Sequence, residues 1–224
     1  VDGLTLAFDA SAGTGTIAVL RDGTLVGEQT LEMRSSAEER FLPAVVATLA
    51  SVGASVGTVE RIVCGAGPGS FTSLRVVAAA AKGLAQGTGR PLYAVPSLAL
   101  TVTADARTTA PGTRWLSTLD AMRADRYLAL VTIGDTGDAG AVLAVESLGL
   151  APQAEVAARA TALDATAIGP DEPLVAEPHA RGVARCLALI AASGPVDLAR
   201  WEPVYGRLAE AQVKWEAAQG RSLR

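Results

Sequence analysis

Across 224 residues, 50% of the side chains are apolar and 19% are charged, and the formal net charge is −4. This composition reads as a soluble globular protein with room for one large domain or two small ones. It carries no Lys/Arg cluster, which argues against tight binding of DNA or tRNA by this chain alone.

A single histidine, His179, cannot supply a metal site built on two imidazoles and leaves a Ser–His relay hard to assemble. It follows Glu177-Pro178 in a polar segment, where a surface or helix-entry role is expected. Cys64 and Cys186 lie far apart inside apolar runs and read as buried free thiols rather than a disulfide. The opening residues show no leader pattern, and the longest apolar stretch, Leu74 to Ala85, contains Arg75 and Lys82 and is too short for a bilayer. A cytoplasmic location without membrane contact is the expectation.

Leu4 to Phe8 alternates and ends at Asp9, a strand that delivers a carboxylate to its C-terminal end. After the small polar turn Ala10–Gly15 comes a strand from Thr16 to Arg21. Asp22-Gly23 then makes a two-residue hairpin to Thr24–Leu31. Ser36 and Glu39 fit a capping box for a helix with Phe41, Leu42, Val45, Val46 and Leu49 on one stripe, ending near Gly53. Pro43 falls within its first turns, where proline is best tolerated.

Arg61 to Cys64 forms the next strand. Gly67-Pro68-Gly69-Ser70 follows, then a helix from Phe71 to Ala85 that repeats Leu74, Val77, Ala78 and Ala81 at helical spacing. The glycine loop supports two readings. Its N–H groups and the helix dipole suit a phosphate or carboxylate. Equally, the glycines allow a tight strand-to-helix turn with Ser70 as N-cap. Leu92–Val95 is a short strand, and Pro96-Ser97 opens another helix.

The second half repeats this order after a polar boundary at 104–112. Trp115–Leu119 ends in Asp120, and strands at Tyr127–Ile133 and Ala141–Leu148 flank the loop Gly134–Gly140. A helix spans Pro152–Ala160, and Ala165–Ile168 ends in Gly169-Pro170, echoing Gly67-Pro68. A helix over Arg181–Ala192 follows, then an extended Glu202–Tyr205 and a helix over Ala209–Ala217 carrying Val213 and Trp215. The expected fold is therefore α/β, a duplicated βββαβα with two lobes of mixed sheets, residues 1–103 and 104–224.

Two copies of this order resemble the actin-like (ASKHA, ribonuclease H-like) fold, whose members hold ATP between the lobes. That resemblance sets Asp9 and Asp120 opposite each other and outlines a vestigial nucleotide site of Asp9, Ser11, Thr14, Gly67, Gly69, Ser70 and Asp120. A working phosphotransferase of this type shows Asp-x-Gly-x-Thr in its first hairpin. Here the glycine is displaced in Asp9-Ala10-Ser11-Ala12-Gly13-Thr14, and Asp120-Ala121-Met122-Arg123 has none. Side chains block the close backbone approach that phosphates need. A small kinase or ATPase using Asp9, Asp120 and Mg-ATP is the alternative reading.

Asp9-Ala10-Ser11, the Asp22-Gly23 hairpin, Arg40-Phe41-Leu42-Pro43, Gly67-Pro68-Gly69-Ser70-Phe71-Thr72 with Leu74-Arg75, and Pro203-Val204-Tyr205 together resemble the TsaB (YeaZ) family. The resemblance implies a non-catalytic, cofactor-free subunit, not a protease, in threonylcarbamoyladenosine modification of tRNA. Its implied partners are a TsaD-type transferase and a TsaE-type ATPase, which would hold the ATP or ADP and the metal. The family implies a homodimer in isolation and contact with tRNA only through the complex. It also implies that the first two helices meet the partner, with Leu42, Val46, Leu49, Leu74, Arg75, Val77, Ala78 and Ala81 as candidates. Packing onto their own sheet is the competing role for each. Two departures from the family pattern are Ala37, where a histidine is common, and Ser73, where glycine is usual.

Overall fold

The computed structural model describes residues 3–33, 37–137 and 140–206. The first lobe runs β1 (Leu4–Asp9), β2 (Thr14–Arg21), β3 (Thr24–Glu32), α1 (Ala37–Ser51), β4 (Arg61–Gly65), α2 (Phe71–Thr88), β5 (Leu92–Val95) and α3 (Ser97–Thr103). The second runs β6 (Arg114–Asp120), β7 (Asp125–Gly137), β8 (Gly140–Pro152), α4 (Val156–Ala162), β9 (Thr166–Gly169) and β10 (Leu174–Val175). A 3-10 segment, Ala180–Arg185, and α5 (Leu187–Ser193) complete it.

The sheets have matching orders, β3-β2-β1-β4-β5 and β8-β7-β6-β9-β10. In each, the first three strands pair antiparallel and the last two join parallel to the first. The two mixed-sheet lobes expected from the sequence are observed; the βββαβα order holds in the first lobe, whereas in the second β10 follows β9 directly, ahead of the 3-10 segment and α5.

Strand alternation divides the core. Leu4, Leu6 and Phe8 of β1 face a cluster closed by α1 and α2, where Phe8 meets Phe41 edge-on with ring centroids 5.3 Å apart. Ala7 of β1, Ala18 of β2 and Val63 of β4 point the other way, into a second cluster that includes Val131, Ile133 and Ile168 of the second sheet. These small first-lobe side chains leave room for helices between the sheets. α3 crosses to pack on β6 and β7, and the 180–185 segment crosses to pack on β1, β2 and β3.

Hydrogen bonds mark both crossings. Ser117 Oγ donates to the Leu98 carbonyl (2.8 Å), and Ala180 N donates to Thr16 Oγ1 (3.0 Å). The Arg185 guanidinium closes the end of α3, donating to the carbonyls of Thr103 (3.2 Å), Asp105 (3.1 Å) and Thr108 (2.6 Å).

Several element expectations change. Strands β7 and β8 run on through most of the expected 134–140 loop, of which 138 and 139 lie outside the described residues. The helix expected over Arg181–Ala192 is broken at Cys186 into the 3-10 segment and α5, and the Pro152–Ala160 helix begins as a 3-10 turn. The two-residue β10 carries no alternation long enough to read. Both cysteines are buried and free, as expected. His179 is buried rather than at the surface, yet it does open its 3-10 segment: Nδ1 accepts from Arg181 N at 3.1 Å. The Ser36 cap and the 209–217 helix lie outside the described residues.

Candidate functional site

A cleft of about 740 Å³ opens between the lobes, walled by the turns after β1 and β6 and by the start of α2. Ser11, Gly69, Ser70 and Asp120 line it. Asp9, Gly67 and Thr14 do not, so four of the seven residues expected at a nucleotide site come together there.

Asp9 lies beneath the cleft floor, buried. Oδ1 accepts from Ser11 N (2.9 Å) and Ser11 Oγ (2.7 Å), and Oδ2 accepts from Ser97 Oγ at the start of α3. Ser97 Oγ in turn accepts from Gly67 N at 3.0 Å. Burial pushes the Asp9 carboxyl above its usual range, and the bonds from Ser97 and Ser11 pull it partly back. The Cys64 thiol behind it is pushed up by burial and, to a smaller extent, by the neighbouring Asp9. The carboxylate is thus spent on tying the β1 turn to α3, and it does not fit a magnesium–nucleotide ligand. The kinase reading is not favoured on this ground. Among the described residues no group of three or more His, Cys, Asp or Glu could hold a metal ion.

The glycine loop is similarly committed. Ala66 N donates to Val95 O (2.8 Å), Gly67 N to Ser97 Oγ, and Ser70 N to Ser11 O (2.7 Å). Gly67 and Gly69 have φ of +83° and +155°, and a Cβ on either would collide with the Val204 or Ser11 carbonyl. Tight backbone packing therefore accounts for both glycines. Ser70 stands at the N-cap position, but its hydroxyl donates to Ser73 Oγ (3.0 Å) and makes no cap bond. The serine in place of the family's glycine is what receives it.

Asp120 differs. Its side chain is 62% exposed and accepts from Arg126 Nη1 at 2.7 Å, while Arg126 Nη2 bridges to Asp171 at 2.6 Å. The following turn holds Met122, Arg123 and Ala124 at φ of 63°, 57° and 63°, left-handed in three successive non-glycine residues. Each such residue costs about 1–2 kcal/mol.

The rest of the wall is apolar: Phe71, Leu119, Met122, Tyr127, Leu150 and Tyr205. Sequence reasoning missed these residues because they come from separated parts of the chain. It also missed Ser97, although a hydroxyl at a helix start just after a parallel strand is a usable signal.

On the two expected partner helices, Leu49, Leu74, Val77, Ala78 and Ala81 are buried. Leu49, Val77 and Ala81 pack beneath their own sheet, and Leu74 reaches Gly67 in the loop. Leu42 and Val46 are 44% and 55% exposed, one turn apart on the outer face of α1. Arg75 is also exposed, with its guanidinium over the Phe71 ring at 5.4 Å.

Comparison with known proteins follows the same lines. Residues 32–165 match the family described as TsaD: tRNA N6-adenosine threonylcarbamoyltransferase. The chain is 33% identical over 124 residues to the tRNA threonylcarbamoyladenosine biosynthesis protein TsaB of Escherichia coli, covering 55% of this chain and 53% of that one. It is 36% identical over 93 residues to TsaB of Bacillus subtilis, covering 42% and 41%. The chain thus spans about half the length of the curated relatives it matches. A Pseudomonas aeruginosa crystal structure, described as an uncharacterized protein with similarity to peptidase YEAZ, superposes with a TM-score of 0.74 at 26% identity, over 92% of this chain and 100% of that one. With more than half of its length matched by the family model, the chain belongs to the TsaD family and, within it, groups with the TsaB (YeaZ) proteins.

Proposed function

We propose that this protein is a non-catalytic accessory subunit in tRNA threonylcarbamoyladenosine biosynthesis, one that binds and supports a TsaD-type transferase. The observation that carries the reading is the fate of Asp9. A carboxylate placed where a nucleotide-binding relative of this fold would use it is buried, with both oxygens engaged by Ser11 and Ser97. The reading leaves nucleotide and metal to the partner subunits, with tRNA reached only through the complex.

The outer face of α1 is the surface assigned to the partner. Leu42 and Val46 expose apolar side chains at helical spacing, with Pro43, Ala47 and Ala50 exposed beside them. In the isolated chain the same face would pair two copies, and a TsaE-type ATPase would join once the transferase is bound. No described helix is long and apolar enough to cross a membrane, and the cytoplasm is the proposed site of action.

The test is co-elution of the full chain with a TsaD-type protein, together with mass spectrometry of tRNA nucleosides after depletion of the chain. Wild type should co-elute, and the modified nucleoside should fall on depletion. Val46→Asp should weaken the complex by about tenfold or more, the scale of a lost interface anchor, with little loss of stability. ATP turnover by the isolated chain, abolished by Asp9→Ala, would overturn the reading in favour of the kinase.

A further inference from the structure

The Pro203-Val204-Tyr205 run plays no part in the function proposed above, yet the structure brings it to the edge of the cleft, which Tyr205 lines. Lys82 Nζ of α2 donates to the Trp201 carbonyl at 2.9 Å and fixes the start of the segment. Val204 N donates to Ala66 O at 2.7 Å, and the Val204 carbonyl rests against Gly67, where a side chain would collide with it. The Tyr205 ring tilts onto Phe71 at the start of α2, with centroids 4.6 Å apart. These contacts all belong to the first lobe.

The second lobe grips the other edge. Tyr127 of β7 donates its hydroxyl to the Tyr205 carbonyl at 3.2 Å, and Gly206 comes so close to the Tyr127 ring that a Cβ there would collide with it. Phe71, Tyr127 and Tyr205 all line the cleft. Residues 201–206 therefore span the gap between lobes at the cleft itself, away from the interior where α3 and the 180–185 segment cross.

We propose that residues 201–206 form a releasable strap that bridges the two lobes at one edge of the cleft, with Tyr205 as its latch. Among the described residues the strap meets the second lobe through the hydroxyl and ring of Tyr127, whereas each lobe beneath it is a five-stranded sheet with its own core. Weakly held peripheral segments open long before cores do. Parting Tyr205 from Phe71 and Tyr127 frees the 205–206 end of the strap from both lobes, while Lys82 and Ala66 still hold its start and both sheets stay folded. The opening then uncovers an apolar wall continuous with Met122 and Leu150, which stand at the rim 61% and 41% exposed.

Hydrogen exchange read by mass spectrometry on the full chain tests this. In Tyr205→Ala, amides at 66–72 and 121–127 should exchange about tenfold faster than in wild type, with α1 and β1–β3 unchanged. Tyr205→Phe keeps the ring and the backbone carbonyl and should behave as wild type. Tyr127→Phe removes only the hydroxyl and should speed exchange a few-fold, confined to 203–206 and 121–127. Exchange in Tyr205→Ala within about twofold of wild type at both edges would overturn the proposal. So would a rise spread evenly into α1 and β3, or failure of Tyr205→Phe to restore protection.

Discussion

The two lobes end their first strands alike, in an aspartate followed by alanine, and then use that aspartate in opposite ways. Asp9 is buried, accepts three hydrogen bonds from two serines and helps fix the start of α3. Asp120 stands mostly in solvent, paired with Arg126 beside a turn of left-handed residues. The difference lies in what each turn meets. The β1 turn lies against the glycine loop and α3, so its carboxylate finds hydroxyl donors and loses water. The β6 turn buries Ala121 against Leu98 and ties the Ala124 carbonyl to Gln153 N, but it brings Asp120 no buried hydroxyl, only the Met122 N–H and the Arg126 guanidinium at the cleft edge. Matching topology therefore fixes where a side chain emerges, and the neighbouring loop decides what it does.

The largest break in that comparison should come from Asp9→Ala. It leaves the Ser11 N–H and two serine hydroxyls buried without their acceptor, and should cost about 2–4 kcal/mol in urea denaturation. Ala124→Gly should act in the other direction, raising stability by about 0.5–1 kcal/mol because glycine takes the left-handed conformation freely. A destabilised Ala124→Gly would show that the second lobe's turn is not strained.

A pH series separates the two helix crossings. The crossing at Thr16 begins beside His179, whereas that at Ser117 and Leu98 begins beside the Asp9 carboxyl, which bonds Ser97 and is raised, not lowered, by burial. Burial, and to a lesser degree Arg181, hold the His179 imidazole below its ordinary value, while Glu28 opposes them. The unfolded chain then binds the extra proton first, so stability should fall as pH drops below about 6.5 toward the lower folded value. In His179→Gln this part of the pH dependence should vanish from the denaturation midpoints; an unchanged slope would acquit the histidine. Smallest of all, Asp120→Ala should cost under about 1 kcal/mol, as exposed ion pairs do. A loss equal to that of Asp9→Ala would erase the contrast between lobes.

Much of the fold was readable because its signals are local: the Asp22-Gly23 turn, alternation in β1 and β2, and the glycines before α2. The site was less readable because its contacts are not. Asp9 finds Ser97 across 88 residues, and the cleft gathers Phe71, Tyr127 and Tyr205 from three regions. On α1 the five apolar positions form two adjacent rows, Phe41-Val45-Leu49 and Leu42-Val46. Periodicity alone does not say which row turns inward. The structure buries the first and exposes the second.

The crossing of α3 and the 180–185 segment has a consequence for how such a chain can be divided. A fragment ending near Thr103 would keep α3 but lose the β6 and β7 surface on which that helix rests. Its sheet would also lose the cover supplied by Ala180 and Val183. Each half thus completes the other, much as subunits of a domain-swapped dimer do. Cut between Asp105 and Gly112, the halves should be insoluble apart and recover the fold only when produced together.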